Sequence, residues 1–242
     1  MKPLHLVVAV LTTAFALASQ PAAATTINVN YLGSANFGAG SVGYDSGTIT
    51  PNPGSANVSI GGDSFGFSNA SNSPWNGLFN TWCVDIYHWL DAGNHSYTIG
   101  TAAELAKAID PLREGADKRV KQLGRLANEV YASVNTMTES AAFQLAVWAI
   151  MYGTPDASGH YVLATGNTGF KVDAKTVSTY GGTVNGWLSH LDSAPITGHY
   201  TMTYLFSDNS QDKVLFRVPE PASLALFGLG LVGLGSSRRK SA

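Results

Sequence analysis

Two side chains in this sequence have the right chemistry to react with each other, the thiol of Cys83 and the amide of Gln144. The chain of 242 residues has one cysteine, so a disulfide within the chain is impossible and the thiol either pairs between chains or has a special task. A thiolate that attacks a glutamine carbonyl expels ammonia and leaves an internal thioester. The step requires a fixed thiol, a fixed amide and stabilised charge on the amide oxygen.

The flanking patterns predict a strand for the cysteine and a helix for the glutamine. Residues 79–87 are rich in aromatic and β-branched residues, which favour a strand. The sequence Thr136-Met137-Thr138-Glu139 is a capping box that opens a helix through Gln144 and Met151. We expect Gln144 in the early turns, where free backbone N–H groups favour negative charge. Trp148, one turn later, and Trp82 are expected to shield the bond from water.

Trp82-Cys83-Val84-Asp85 and Gln144-Leu145-Ala146-Val147-Trp148 together resemble the thioester domains of Gram-positive surface adhesins. The resemblance spans residues 79–152. It implies that an amine or hydroxyl on a surface or matrix polymer attacks the Gln144 carbonyl, becomes covalently joined and frees Cys83. Such a protein is a single-use covalent binder rather than an enzyme, and it needs no cofactor.

Two alternatives remain open at this point. Cys83 is an inert buried thiol in a structural matrix protein, a common situation for a free cysteine. Or Cys83 is the nucleophile of a cysteine hydrolase, with a histidine as its base. The candidate bases are His88, His95, His160, His190 and His199.

The N-terminus is typical of a secretory signal peptide. Lys2 supplies the positive start, residues 4–17 are almost wholly apolar, and the small residues up to Ala24 suit a signal peptidase. We therefore assign residues 1–24 to a signal peptide that is cleaved after Ala24.

The C-terminus has the three parts of a sorting signal. Pro219, Glu220 and Pro221 precede an uncharged stretch, residues 222–235, which is rich in Leu and Gly. A basic cluster that orients the segment with its end in the cytoplasm follows; it consists of Arg238, Arg239 and Lys240.

This tail, residues 218–242, resembles the PEP-CTERM sorting signal of Gram-negative bacteria. The resemblance implies processing by an exosortase near the Pro-Glu-Pro tripeptide, and a role in exopolysaccharide and biofilm systems. The apolar run is shorter than the roughly 20 residues of a comfortable span. We therefore predict a short transmembrane helix as a temporary anchor, followed by release to the cell surface or extracellular matrix.

We predict that residues 25–217 form one exported domain, and their composition argues against some classes of function. The formal net charge is −2 and charged residues are sparse, so no basic patch points to nucleic acid. No Cys or His pair has the spacing of zinc ligands, so no metal site is predicted. The sequence indicates no oligomeric state.

The periodicities predict an α+β fold: one β-rich domain, sandwich or barrel-like, with a helical segment laid over the sheet to bring Gln144 to Cys83. Alternating apolar residues predict strands early in the domain and again near its end. Helical spacing between them predicts the helices, the second at residues 116–134 and a short one at 183–191. The late strands are predicted at residues 95–99, 200–206 and 213–217.

Overall fold

The computed structural model describes residues 25–34, 36–37, 40–41, 45–50, 56–60, 63–67, 79–88, 90, 93–109, 115–167, 169–194 and 198–218. The predicted signal peptide and nearly all of the predicted tail, including its transmembrane helix, lie outside these residues. Among the residues described, none of the helices combines the length and the apolar character needed to cross a membrane.

Strands lie at both ends of the described chain, and helices lie mainly between them. The strands are β1 (Thr26–Ser34), β2 (Asn36–Phe37), β3 (Gly40–Ser41), β4 (Asp45–Thr50), β5 (Ala56–Ile60), β6 (Asp63–Phe67), β7 (Phe79–Cys83), β8 (Asn94–Gly100), β9 (Lys171–Val172), β10 (Thr201–Phe206) and β11 (Lys213–Arg217). The helices are α1 (Ala102–Ala108), α2 (Ala116–Val130), α3 (Met137–Tyr152) and α4 (Ala174–His190).

Six of the strands form a curled antiparallel sheet. Their order is β1–β6–β7–β11–β10–β8, and β8 pairs with β1 as well as with β10, so the sheet closes into a barrel. Alternation puts apolar side chains such as Ile27 and Val29 inward. The inner cluster is small; its buried members are Ile27, Val29, Tyr97, Leu205 and Leu215.

The larger core lies between the helices and the outer face of the barrel. α3 is its central element: every residue from Ser140 to Tyr152 is buried, and the helix packs against α2, α4 and β7. A helix that is apolar on all sides is buried on all sides. The predicted α+β fold with helices laid over a β-rich sheet is confirmed, and the sheet is a curled antiparallel one.

Local capping explains where the helices begin. The side chains of Thr101, Thr136 and Asp173 accept hydrogen bonds from the backbone N–H three residues later, which pairs donors that a helix start leaves free. Two predicted helix bounds are wrong. The helix predicted at 116–134 ends at Val130 and continues as a short 3-10 turn, and the one predicted at 183–191 is the end of α4, which begins at Ala174.

Candidate functional site

Gln144 and Cys83, 61 residues apart in sequence, meet in the core. The backbone N–H of Cys83 donates to Gln144 Oε1 at 2.9 Å, and Gln144 Nε2 donates to the carbonyl oxygen of Cys83 at 2.8 Å. Two residues that exchange both bonds in this way form the hydrogen-bonded pair of an antiparallel ladder. The carboxamide of Gln144 therefore acts on Cys83 as a neighbouring strand would.

The site is closed to water. Gln144 has no exposed surface and Cys83 is 3% exposed. On its other side β7 is held by β11, where Cys83 lies opposite Lys213 and the N–H of Val84 donates to the carbonyl of Asp212 at 3.0 Å. The predicted meeting of a strand cysteine with a helix glutamine is thus present in the fold, with the contact made through the cysteine backbone.

The thiol of Cys83 is hydrogen-bonded to the backbone two residues later in the chain. Cys83 Sγ donates to the backbone oxygen of Asp85 at 2.8 Å, because the chain bends after Cys83. The strand predicted at residues 79–87 is wrong in its second half: β7 ends at Cys83, and residues 86–88 form a bend.

The amide oxygen of Gln144 accepts a hydrogen bond from a different donor than the one predicted. α3 begins at Met137, so Gln144 is its eighth residue and lies beyond the first turn, where the free N–H groups and the dipole act. The prediction that the helix start stabilises charge on this oxygen is wrong. The N–H of Cys83 donates to this oxygen instead.

Tyr152 fixes the chain just after Cys83. Its hydroxyl donates to the carbonyl of Val84 at 2.6 Å and accepts from the N–H of Ile86 at 3.3 Å. Burial raises the pKa of Tyr152 well above its usual value, and negative charge on Cys83 and Asp85 adds to the rise. Gln144 and Tyr152, both on α3, thus hold the two sides of the bend.

A cluster of polar side chains lies beside the thiol. His88 Nδ1 pairs with the carboxylate of Asp85, and the hydroxyl of Tyr204 donates to Asp212. The hydrogen bond to Asp85 raises the pKa of His88. Burial raises the pKa of Asp212, and burial with the bond to Asp212 raises that of Tyr204.

A cavity of about 270 Å³ opens onto this cluster. Its lining includes Asp85, Asp212, Tyr152 and Tyr204, together with apolar residues of α1 and α3. The cavity thus lies beside Val84 and Asp85, the two residues that follow Cys83.

The two predicted shielding tryptophans lie in the core with other rings around them. Trp82 is fully buried. The centroid of its ring lies 4.9 Å from that of Tyr131 and 5.1 Å from that of Phe143, and both ring pairs are edge-to-face. Trp148 is 4% exposed, and its ring centroid lies 6.2 Å from that of Phe170. Both tryptophans belong to the buried core cluster that also contains Cys83, and their role in shielding a thioester from water stays a prediction.

The candidate bases of a cysteine hydrolase lie in different surroundings. His88 faces Asp85, His160 lies 3.8 Å from Asp192, and His190 Nδ1 lies 2.8 Å from the backbone oxygen of Gly186. The ring of His95 is tilted against Tyr97, and His199 is exposed. No group of three His, Cys, Asp or Glu residues within the described ranges is arranged to hold a metal ion.

Three residues of the site were missed by the sequence analysis: Tyr152, Asp212 and Lys213. The only signal for Tyr152 was its position eight residues after Gln144, a spacing that keeps two residues near one side of a helix. Lys213 is fully buried, and its Nζ donates to Gln211 Oε1 at 2.5 Å. Neither Lys213 nor Asp212 carried a signal, because the place of Lys213 opposite Cys83 and of Asp212 beside Val84 depends on barrel register.

The comparisons with known proteins give a match at the C-terminal end of the chain. Residues 217–240 match the family described as the PEP-CTERM protein-sorting motif. This confirms the predicted sorting signal, including the tripeptide Pro219-Glu220-Pro221, and marks the chain as an exported exosortase substrate destined for the surface or the extracellular space. No curated protein and no solved structure matches the chain.

Proposed function

We propose that this exosortase-sorted protein is a single-use covalent binder whose reactive group is an internal thioester between Cys83 and Gln144. The observation that carries the proposal is the paired contact of the Gln144 carboxamide with the backbone of Cys83, at 2.9 and 2.8 Å, in a site without exposed amide surface. The contact holds the Gln144 carboxamide beside Cys83, and the thiol leaves its hydrogen bond to the Asp85 backbone oxygen before it attacks.

The chemistry balances with the groups present. Cys83 Sγ attacks Gln144 Cδ, and the developing charge on Oε1 is stabilised by the Cys83 N–H that already donates to it. The C–N bond to Nε2 then breaks, the thiol proton passes to that nitrogen, and ammonia leaves. Burial protects the new thioester from hydrolysis.

The second half-reaction joins the protein to its target. An amine or hydroxyl of a surface or matrix polymer attacks the Gln144 carbonyl, forms an amide or ester, and returns the thiol of Cys83. The cavity near Cys83 suits an amine, because Asp85 and Asp212 are among its lining residues and acidic side chains attract amines. The amine attacks in its neutral form, and its proton passes to the departing sulfur of Cys83. Each chain reacts once, so we infer a binder, with a role in an adhesive or biofilm matrix, rather than a turnover enzyme.

A non-reactive matrix protein is the second candidate, and one observation favours it. Both polar ends of the Gln144 amide are hydrogen-bonded, and the thiol has its own acceptor in Asp85. A buried carboxamide that completes a strand ladder is stabilising without any reaction. On this account Gln144 is structural and Cys83 is inert.

The mass and thiol content of the mature protein separate the two. The full chain is produced in a host with the matching exosortase, and the purified mature form is unfolded at mildly acidic pH. The thioester predicts a loss of about 17 Da, one ammonia per chain, and no titratable thiol. Cys83→Ala and Gln144→Glu variants serve as matched controls and should lack the loss.

The opposite result is equally clear, because Cys83 is the only cysteine. A wild-type chain at full mass with one thiol that reacts on unfolding contradicts the thioester and supports the matrix protein. Digestion between the two residues adds a check, since a thioester holds the Cys83 and Gln144 peptides together.

A further inference from the structure

The matched sorting motif begins at the last residue of strand β11. β11 finishes at Arg217, the first residue of the matched motif, and Pro219 follows two residues later. A fully extended chain spans about 3.3–3.6 Å per residue, so Pro221 lies at most about 14 Å from Arg217. An enzyme that grips the tripeptide therefore works against the surface of the barrel.

That surface has a groove at the point of exit. We call it the exit groove: a cavity of about 390 Å³ between α1, α2 and the start of β10. Thr201 on its wall pairs with Arg217, and its Oγ1 donates to the Arg217 carbonyl at 3.3 Å. The lining residues are Ala102, Val120, Lys121, Gly124, Gly198, Tyr200, Thr201 and Met202.

The chemistry of the exit groove defines its partner. Val120, Tyr200 and Met202 give it an apolar floor, and the exposed Lys121 adds a positive charge. We propose that the exit groove is the docking surface for the exosortase, which fills it with an apolar side chain beside a carboxylate. This inference rests on the sorting motif and is independent of the thioester.

Continuity with the tail is the reason to choose this occupant. The groove wall and the last residue of β11 are hydrogen-bonded neighbours, so a bound enzyme meets both together. Tethering two contacts on so short a chain raises their effective concentration, and docking on the domain then strengthens recognition of the tripeptide.

The test measures the rate of tail removal by pulse–chase in cells that hold the exosortase, with the full chain. Lys121→Glu reverses the charge, and Thr201→Arg fills the groove. Each should slow processing about fivefold or more, as loss of a central interface contact does. The matched controls Lys175→Glu and Ser96→Arg change exposed residues of α4 and β8, and should stay within about twofold of wild type.

A second arm lengthens the tether by about eight Gly and Ser residues between Val218 and Pro219. Docking predicts slower processing, because effective concentration falls with linker length. Unchanged or faster processing overturns the proposal, since the domain then plays no part or merely obstructs the enzyme. Groove variants processed at the control rate overturn it too.

Groove variants that are processed faster than wild type also overturn it, since they would show that the groove retains the tail itself. Thermal unfolding of each variant confirms that the domain is folded. Because thioester mass loss is read separately on the same chains, failure of docking and failure of the thioester are distinguishable.

Discussion

The two ends of strand β11 are built in opposite ways. At its start, Lys213 is fully buried opposite Cys83, and the surrounding backbone is bonded to Gln144 and Tyr152. At its end, Arg217 is half-buried and Val218 is 64% exposed. We call these the Cys83 end and the Arg217 end; they lie four residues, about 13 Å, apart along the strand.

Under the proposed function, the two ends of β11 meet different requirements. A thioester survives only where water is excluded, and the Cys83 end excludes it. A sorting motif works only where an enzyme can reach it, and Val218, the last described residue of the Arg217 end, is exposed. Substitutions should therefore have large effects on stability at the Cys83 end and small ones at the Arg217 end.

Gln144→Ala should have the largest effect. It removes two hydrogen bonds from a fully buried position and leaves a cavity, so we expect the free energy of unfolding to fall by about 3–5 kcal/mol. Chemical denaturation on a Cys83→Ala background measures this without any contribution from a thioester.

Gln144→Glu on the same background is the matched control for Gln144→Ala. When the carboxyl group of this variant is protonated, the side chain retains a donor for the Cys83 carbonyl and an acceptor for the Cys83 N–H. If Gln144→Ala lowers the free energy of unfolding by less than about 1 kcal/mol, Gln144 does not replace a strand partner. The comparison of the two ends would then lose its basis.

Tyr152→Phe should have the next largest effect. The ring is retained, but the Val84 carbonyl and the Ile86 N–H lose the hydroxyl, which costs about 1–3 kcal/mol. Urea denaturation measures the loss. Tyr200→Phe, on the exit groove, is the control and should be close to neutral; equal losses in the two variants would contradict the contrast between the ends.

The pH dependence of stability should also come from the Cys83 end. Asp212 has a folded-state pKa raised above its ordinary 3.8 by burial, so the folded state holds this proton more tightly than the unfolded state. Its contribution is therefore most favourable below the unfolded pKa and is lost as pH rises through the folded pKa.

Asp212→Asn tests that dependence. Relative to wild type, the variant should become more stable as pH rises from about 4 towards neutrality. Denaturation curves at several pH values check this. Parallel curves for the two proteins would mean that burial of Asp212 does not perturb its titration.

Thr201→Ala, at the Arg217 end, should have the smallest effect. Its hydroxyl makes one exposed bond to the Arg217 carbonyl, so the free energy of unfolding should change by no more than about 0.5 kcal/mol. A loss of several kcal/mol would show that the Arg217 end is as tightly built as the Cys83 end.

Local patterns predicted much of this architecture. β11 has the bounds that its alternation predicts, and the Thr136 cap opens α3 where the sequence placed it. α4 was predicted too short because its first half, with β-branched residues and two adjacent glycines, is a poor helix former. Burial of Thr176 and Tyr180, together with the Asp173 cap, stabilises it.

The candidate site was predictable in its two principal residues but not in its geometry. The resemblance of their two segments to thioester domains, together with the chemistry of a thiol and an amide, predicted that Cys83 and Gln144 meet. The contact through the Cys83 backbone and the end of β7 depend on barrel closure and on pairing across 61 residues, which local periodicity does not encode.

Trapping with isotope-labelled methylamine, followed by peptide mapping of the mature chain, tests the central claim most directly. The account predicts label on the Gln144 side chain and one newly released thiol at Cys83, neither of which occurs in Cys83→Ala. An unlabelled Gln144, with the Cys83 thiol already free before treatment, would contradict it.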